Sequence, residues 1–262
     1  MNGVLGQRVS APESYAPDIL EPIQRSHRPS NVTMHGWDIW HAYELSWCIE
    51  DAPAHWVGWF AIPADSPCTV ESKSLKLYLN SLNHHRFASH SEAIDTVSGD
   101  LSRRVGAAVT LHCLPVTGLH AITEELQGVN LPACATGAGP AKIQADLLTH
   151  SPRKGNVMSE HLVSHGLRSL CPVTGQPDWG SLSISYTGAA IDHHALATYL
   201  NGYRSHQGFH EQCVEQIFCD LLTLDPDSLQ VVAFYQRRGG IDITPWRSTQ
   251  ECPVNPQRLG RQ

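Results

Sequence analysis

Four residues recur at a constant interval, and this repetition constrains the fold more than any other feature of the chain. Leu75, Tyr78, Leu79 and Asn80 are matched 121 positions later by Leu196, Tyr199, Leu200 and Asn201. Both sets have the three- and four-residue spacing that puts apolar side chains on one face of a helix. The repeat therefore predicts an internal duplication, with the same succession of elements in each half.

Each half shows the order strand, strand, helix, helix, strand, strand. Alternating and aromatic-rich runs indicate the strands, while apolar periodicity and a capping box at Ser89–Glu92 indicate the helices. The first half is predicted to have strands at 43–49 and 55–62, helices at 71–82 and from Ser89 past Leu101, and strands at 106–114 and 118–122. The second is predicted to have strands at 161–170 and 181–186, helices at 192–203 and 209–222, and strands at 229–235 and 241–245.

Two regions show no sustained periodicity. Residues 1–35 are rich in proline, serine and arginine and are predicted to form an irregular leader. Residues 126–156, around the small-residue run at 133–140, are predicted to form a linker or insertion. The predicted division is thus a leader at 1–35, a first half at 36–125, a linker at 126–156 and a second half at 157–262.

Charge and hydropathy restrict the class of ligand. The chain carries 18 basic and 25 acidic residues, a net charge of -7, which argues against direct binding of nucleic acid or anionic membrane. No basic cluster followed by an apolar run opens the sequence, and no window approaches the roughly 18 apolar residues of a membrane span. We therefore expect a cytoplasmic protein with a small-molecule ligand.

The metal-ligating residue types lack the spacing of known sites. The eight cysteines form no Cys-x-x-Cys pair, which argues against a disulfide framework as well as a zinc knuckle. The 16 histidines include no His-Glu-x-x-His motif. No metal site is predicted.

The segment 171–180 combines a thiol with a carboxylate. Cys171 and Asp178 lie seven residues apart among two prolines and two glycines. Irregular segments of this kind lie at the surface, because their backbone groups need water as a partner, so the thiol is predicted to be accessible. Taken alone, the pair also fits a small apolar residue at a strand end and a turn-forming aspartate.

Three further segments carry candidate functional groups: 71–76 (Glu-Ser-Lys-Ser-Leu-Lys), 209–212 (Phe-His-Glu-Gln) and 237–240 (Arg-Arg-Gly-Gly). Each also fits a structural role, as a helix start whose dipole favours an acid or as a basic hairpin turn. The duplication places Glu71 and the pair His210–Glu211 at helix starts in corresponding layers. Two carboxylates are therefore expected to converge on one pocket.

These segments, in this order, resemble the long form of the NADPH-dependent 7-cyano-7-deazaguanine reductases, the nitrile reductases of queuosine biosynthesis. The resemblance extends from residue 36 to residue 248 and is thin between 116 and 156. It rests on the segments 36–40, 64–67, 71–80, 171–180, 209–213 and 237–248.

The resemblance implies a fold and a reaction. The fold would be an α+β tandem tunnelling fold (T-fold), with two halves that are each an antiparallel sheet backed by two helices. The reaction would reduce the nitrile 7-cyano-7-deazaguanine to 7-aminomethyl-7-deazaguanine with two NADPH. In it, the Cys171 thiolate would add to the nitrile carbon to give a covalent thioimidate, and Asp178 would protonate the nitrogen.

The resemblance also assigns binding residues. Those implied for the deazaguanine are Val70, Glu71, Ser72, His210 and Glu211. A carboxylate that accepts hydrogen bonds from a ring N–H and an exocyclic amine recognises a guanine-like face selectively. Those implied for NADPH are Ser72, Lys73, Arg238 and Gly239, outside any Rossmann glycine motif. A homodimer is implied too, since such folds pair their open sheet edges.

Two rival interpretations remain on the sequence alone. Other members of the same fold act on pterins or GTP and in some cases use zinc, for which this chain lacks a ligand motif. A non-catalytic purine-binding subunit would keep the pocket without turnover. The joint presence of Glu71, Lys73, Cys171 and Asp178 argues against that second rival.

Overall fold

A computed structural model describes residues 11–25, 32–134, 142–152 and 157–262. It is an α+β structure with mainly antiparallel strands. The helices are α1 (Ser72–Ser81), α2 (His90–Val105), α3 (His193–Asn201) and α4 (His210–Leu222). The strands are β1 (Pro22–Gln24), β2 (His35–Ile49), β3 (Ala52–Pro63), β4 (Cys68–Val70), β5 (Arg86–Phe87), β6 (Leu111–Pro115), β7 (Thr123–Glu124), β8 (Val129–Asn130), β9 (Met158–Leu170), β10 (Pro177–Gly188), β11 (Ser228–Tyr235), β12 (Ile241–Ser248) and β13 (Arg258–Leu259).

One sheet runs through both halves in the order β6-β3-β2-β12-β11-β10-β9-β8, with β5 beside β2. The halves join where β2 pairs antiparallel with β12, from Ala42 opposite Ile241 to His35 opposite Ser248. α1 and α2 pack on the first half through one apolar core, and α3 and α4 pack on the second through another. The apolar faces of the strands and helices are buried against each other, which is the main force that holds such layers together.

The four predicted helices are confirmed with small shifts at their ends. The predicted hairpin is also confirmed, but its first strand, β2, begins at His35 rather than at residue 43. The strand predicted at 106–114 begins only at Leu111, because Gly106 ends α2 in the left-handed conformation, with φ of 74°. The strand predicted at 118–122 is wrong, since Val116–Ile122 forms a 3-10 helix. Local bonds favour that tighter turn, among them Thr123 Oγ1 donating to the carbonyl of Leu119 at 3.0 Å.

Equivalent positions of the two halves make equivalent contacts. The hydroxyl of Tyr78 donates to Asp100 at 2.6 Å, and that of Tyr199 donates to Asp220 at 2.7 Å. Each tyrosine lies on the first helix of its half and each aspartate on the second. The repeated residues therefore occupy the same place in both layers of helices.

Residues 11–25, which we call the strap, are more ordered than the predicted irregular leader. They contain a 3-10 turn at Pro17–Ile19 and the strand β1, which pairs antiparallel with β4. Tyr15 donates to Asp100 at 2.6 Å, so the strap is fastened to the helices of the first half. Further on, Met34 is buried in the core of the second half, so the leader contacts both halves. Its residues 1–10 and 26–31 lie outside the described part of the chain.

The predicted linker and the carboxyl-terminal segment also pack on the sheet. β8 pairs with β9, and Leu148 is buried in the core of the second half, whereas the centre of the predicted linker at 135–141 lies outside the described residues. On the face opposite the helices, Trp37 Nε1 donates to the carbonyl of Cys252 at 3.0 Å. Among the described residues, no helix is both long and apolar enough to cross a membrane.

Candidate active site

A cavity of about 980 Å³, including the space at its mouth, lies where the two halves meet. Helices α1 and α4 both begin at it, the β9–β10 loop and the β11–β12 turn border it, and β2 and β12 contribute Trp40 and Ile241. Its wall contains every residue predicted for the site: Val70, Glu71, Ser72, Lys73, Cys171, Asp178, His210, Glu211, Arg238 and Gly239. Groups from both halves thus come together in one cavity.

Cys171 lies in a tight loop between β9 and β10. Its N–H donates to the carbonyl of Gln176 at 2.8 Å, and its own carbonyl accepts from the N–H of Gly175 at 2.9 Å. Gly175 has φ of 65°, a conformation that costs glycine little and other residues more. The thiol is partly exposed, as the sequence predicts for a loop of this kind.

Backbone pairing brings this loop next to the start of α4. The N–H of Leu170 donates to the carbonyl of His206 at 2.8 Å, and the N–H of Gly208 donates back to the carbonyl of Leu170 at 3.1 Å. Cys171 directly follows Leu170 in the chain, and His210 closely follows Gly208. The pairing therefore sets the thiol and the imidazole at the same wall of the cavity.

Asp178 is a buried carboxylate between two nitrogen groups. His210 Nε2 lies 3.3 Å from its Oδ2, and Arg238 Nη1 lies 3.0 Å from its Oδ1. The same guanidinium donates through Nη2 to Gln176 at 3.1 Å, which ties the β11–β12 turn to the Cys171 loop. The acid is thus held by partners from α4 and from the turn.

Glu71 combines a capping role with a place in the cavity wall. Its carboxylate accepts from the backbone N–H of Lys73 at 2.8 Å and from that of Ser74 at 2.7 Å, so it caps α1. Its own N–H donates to the carbonyl of Glu21 in the strap at 2.9 Å. A carboxylate has about four lone-pair sites, so a ligand still finds acceptors on this buried group.

Glu211 is the second buried carboxylate of the cavity. The hydroxyl of Thr69 donates to its Oε1 at 3.2 Å. Burial raises the pKa of Glu211 and the nearby Asp38 raises it further, while His210 and Arg25 act in the opposite direction. The predicted convergence of two carboxylates is therefore observed at Glu71 and Glu211.

Cations and a close backbone approach line another part of the wall. Lys73, Lys76 and Arg238 all contribute to it. Gly239 has φ of 58°, a conformation that glycine adopts without strain, and a Cβ at this position would lie 2.9 Å from the flexible end of Lys76. Lys76 was not among the predicted site residues, although it stands one turn beyond Lys73 in the segment 71–76.

Other wall residues were not predicted from the sequence. Ile23 comes from the strap, outside every segment singled out in the sequence. Trp40 ends the segment 36–40 and Thr69 precedes the predicted site residue Val70, but neither was predicted to line the site. Phe209 and Pro172 are different, because they stand next to predicted site residues inside the segments already singled out. Adjacency to a motif residue is the signal that would have found those two.

The structure adds two observations on metals and thiols. Within the described ranges, no three His, Cys, Asp or Glu side chains are grouped as metal ligands would be. All eight cysteines belong to the described part of the chain, and none of them forms a disulfide bond there.

Two family models match the chain. The model for "Nitrile reductase, 7-cyano-7-deazaguanine-reductase N-term" matches residues 11–113, and that for "QueF-like protein" matches residues 177–253. Asp178 and the helix-start and turn residues lie within these ranges, whereas Cys171 lies between them. The crystal structure of the archaeosine synthase QueF-Like in the apo form covers 38% of this chain and 100% of its own, with 16% identity and a TM-score of 0.33, too distant a likeness to describe the fold.

Curated relatives cover the whole length, including the gap between the two models. A protein of Acinetobacter baylyi is 42% identical over 99% of this chain and 98% of its own. One of Chromohalobacter salexigens is 40% identical over 98% of this chain and 96% of its own, and one of Coxiella burnetii is 42% identical over 94% and 91%. All three are named NADPH-dependent 7-cyano-7-deazaguanine reductase. With this identity over nearly its entire length, the chain belongs to the family of NADPH-dependent 7-cyano-7-deazaguanine reductases.

Proposed function

We propose that this protein uses NADPH to reduce 7-cyano-7-deazaguanine to 7-aminomethyl-7-deazaguanine through a covalent thioimidate on Cys171. The observation that carries the proposal is the convergence of a thiol, a carboxylate and a set of cations on one cavity. The family membership supplies the substrate and the cofactor. The product would enter the biosynthesis of the tRNA nucleoside queuosine.

Two carboxylates would bind the substrate ring. Glu71 and Glu211 are both buried in the wall, so their hydrogen bonds to a ring N–H and an exocyclic amine would form away from bulk water. Val70, Ser72 and His210 border the same space. A guanine-like edge offers donors where these oxygens accept, whereas an adenine-like edge does not.

Cys171 and Asp178 would carry out the addition to the nitrile. The thiolate attacks the nitrile carbon and forms a C–S bond, while the nitrogen gains negative charge and takes a proton from Asp178. His210 Nε2, 3.3 Å from Asp178, is close enough to return a proton to that carboxylate. In total, the conversion of a nitrile into an aminomethyl group consumes two hydrides and two protons. The C–S bond breaks again along the way, which regenerates the thiolate of Cys171.

Ser72, Lys73, Arg238 and Gly239 would hold NADPH, together with Lys76. The donor set fits, because ammonium and guanidinium groups bind phosphates and the exposed backbone at Gly239 allows a close approach. Arg238 links this group to the acid, since it also contacts Asp178. NADPH, when bound, supplies the hydride that reduces the carbon attached to Cys171.

We also propose the tandem T-fold and the predicted division at residues 36–125 and 157–262. The matching contacts Tyr78–Asp100 and Tyr199–Asp220 support an ancestral duplication. So does the matching cap, because Asp192 accepts from two N–H groups at the start of α3, as Glu71 does on α1. The site would then belong to both halves.

A homodimer in the cytoplasm is the assembly that we propose. The sheet ends at β6 on one side and at the two-residue β8 on the other, and unpaired edges of this kind favour edge-to-edge association. The eight cysteines form no disulfide bond in the described part of the chain, which fits a reducing compartment. Analytical ultracentrifugation would measure the mass in solution, and a monomer at micromolar concentration would contradict the proposed dimer.

The test of the reaction compares Cys171→Ala with Cys134→Ala, a thiol outside the cavity wall. NADPH oxidation is followed with and without 7-cyano-7-deazaguanine, and the intact mass of the protein is measured after incubation with the nitrile alone. We expect Cys134→Ala to oxidise NADPH and to gain the mass of the nitrile, and Cys171→Ala to do neither. Turnover by Cys171→Ala would reject the covalent mechanism. In Asp178→Asn we expect the adduct with a rate lowered about 10²- to 10⁴-fold.

A further inference from the structure

Four charged side chains form a buried cluster behind Glu211. Arg247 Nη1 lies 2.7 Å from Asp38 and its Nη2 donates to Glu215 at 3.0 Å. Arg25 donates to the other oxygen of Asp38 at 2.5 Å and to Glu215 at 3.5 Å. All four belong to different elements, namely the strap, β2, α4 and β12. These four side chains connect the two halves at the seam, by which we mean the region where the halves meet and where the cavity lies.

Arg25 also ends the strap, which contacts Glu71 directly and Glu211 through Thr69. The carbonyl of Glu21 accepts from the N–H of Glu71 at 2.9 Å. In the β1–β4 pair, Ile23 stands opposite Thr69, whose hydroxyl donates to Glu211 at 3.2 Å. Ile23 itself lines the cavity. A displacement of the strap would therefore move the partners of Glu71 and Glu211 together.

The charges around Glu211 depend on Arg25. With Arg25 and Arg247 as cations and Asp38 and Glu215 as anions, the cluster is balanced. Loss of Arg25 would leave an excess of negative charge one helical turn from Glu211, because Glu215 lies on the same face of α4. Besides these four, the charged or titratable groups near Glu211 among the described residues include His210 and Cys213 on its own helix. The same cavity wall also contains Glu71, Lys73, Lys76, Cys171, Asp178, Arg238 and Asp242.

We propose that Arg25 is a positioning residue for the substrate: it anchors the strap at the seam, so that Glu71 and Glu211 are held in place, and it offsets the negative charge behind Glu211. This inference rests on the proposed function, since it takes the deazaguanine as the ligand of the two carboxylates. Arg25 lies outside all the motifs that indicated the site.

The pH dependence of binding distinguishes this role from general support of the fold. A protonated Glu211 accepts hydrogen bonds less well, so affinity falls as the pH drops through its pKa. Burial, with Asp38, already raises that pKa, and Arg25 counteracts the rise. The acid limb of the binding profile is the pH range in which affinity falls as the pH drops. Removal of the Arg25 cation therefore moves this limb to higher pH.

The experiment measures the affinity of 7-cyano-7-deazaguanine by calorimetry across a pH series, in the Cys171→Ala background, where no covalent adduct forms. The variants are Arg25→Met, Arg25→Lys and the double variant Arg25→Met/Asp38→Asn, which restores the charge balance. The matched control is Arg104→Met, because Arg104 fastens the strap through Asp18 at 2.7 Å, away from the cavity. Thermal unfolding of each variant is recorded alongside.

We expect Arg25→Met to weaken binding about tenfold at neutral pH and to shift the acid limb upward. Arg25→Lys should return the limb to its original position, and Arg104→Met should match the parent. The double variant should move the limb back to that position or to lower pH, because Asp38 raises the pKa of Glu211 more than Arg25 lowers it. Equal profiles for Arg25→Met and the parent would overturn the inference, as would a weaker affinity with no shift and no rescue. If Arg25→Met does not fold, the lysine and double variants carry the comparison. Absence of binding in the parent would instead reject the proposed function.

Discussion

The imidazole of His210 lies flat on the phenol ring of Tyr235, with centroids 3.9 Å apart and ring planes within 6°. Tyr235 is fully buried at the end of β11, so it gives His210 a rigid support. The stack leaves Nε2 directed at Asp178, 3.3 Å away. The position of the histidine therefore depends on the ring of Tyr235 as well as on the contact with Asp178.

The effect of a substitution at Tyr235 on kcat/KM should depend on whether the new side chain keeps an aromatic ring. Tyr235→Phe keeps the stack, and we expect near-normal kcat/KM. Tyr235→Leu removes it, and since an aromatic pair contributes about 0.5 to 1.5 kcal/mol, we expect kcat/KM to fall up to about tenfold. Steady-state NADPH oxidation measures both. Equal rates for the two variants would show that the stack does not position His210.

Glu71→Gln and Asp192→Asn form a matched pair, because both change a carboxylate that caps the first helix of its half. Asp192 accepts both N–H groups through Oδ1, which asparagine keeps, whereas Glu71 uses one oxygen for each N–H, so Glu71→Gln loses one cap hydrogen bond. We expect Glu71→Gln to lose about 1 to 3 kcal/mol of stability and Asp192→Asn to lose less than about 1 kcal/mol. Only Glu71 lines the cavity. We expect Glu71→Gln to raise KM for the nitrile about tenfold or more, as a charge-assisted hydrogen bond is weakened, and Asp192→Asn to leave it unchanged. A comparable increase in both would mean that the cap alone matters.

Periodicity predicted the helices and long strands because each of them buries one apolar face. The residues of that face recur at regular intervals within one continuous segment of the sequence. It failed for the strap, which packs on a surface that other segments build. The strap's contacts are single side chains and backbone bonds, such as Tyr15 to Asp100 and Glu21 to Glu71, and these follow no period. The 3-10 helix at Val116–Ile122 was missed since local hydrogen bonds outweighed its strand-like pattern.

The site was predictable where its residues stand in short segments, as Glu71, Cys171 and His210 do. The cluster of Arg25 and Arg247 was not, because its members come from four distant elements and share no motif. A pair of opposite charges is recognisable in sequence only at helical or cross-strand spacing. Here the pairing distance depends on how the two halves meet at β2 and β12.

Tyr78→Phe and Tyr199→Phe should each destabilise the protein by about 1 to 3 kcal/mol, because each removes a largely buried hydrogen bond to a carboxylate. Neither tyrosine lines the cavity, so KM should not change. Urea unfolding monitored by fluorescence gives the free energies. A measurable loss in one variant and none in the other would contradict the equivalence of the two positions.

Thiol reactivity should separate Cys171 from Cys113 and Cys213, whose pKa values are raised. Burial raises the pKa of Cys113 and of Cys213 to about 12 in each case, so both remain protonated thiols near pH 8. We expect iodoacetamide to label Cys171 in the native protein and to leave those two unmodified until denaturant is added. Mass spectrometry of peptides measures the labelling, and the nitrile substrate should protect Cys171. Rapid native labelling of Cys213 would contradict its burial.

Glu211→Gln should stabilise the protein while it weakens substrate binding. Burial, and then Asp38, raises the pKa of Glu211 above its ordinary value of 4.5. The folded state consequently holds a proton that the unfolded state has released, so the free energy of unfolding falls as pH rises from the unfolded pKa through the folded one. Glutamine does not ionise, so the free energy of unfolding of the Glu211→Gln variant does not fall in this way as the pH rises. The free energy of unfolding of the variant should therefore match that of the parent near pH 4 and exceed it near pH 8.

Glu215→Gln provides the control, because it makes the same chemical change one turn further along α4. Glu215 accepts from Arg247 at 3.0 Å and contacts Arg25, so its removal leaves buried guanidinium groups without their full set of partners. We expect it to destabilise the protein by about 3 to 5 kcal/mol near pH 8. Denaturant unfolding at both pH values compares the two variants. Glu211 faces the ligand cavity, whereas Glu215 is paired with arginines within the protein. If both variants were stabilised, or neither, the local charge environment would not distinguish these two carboxylates.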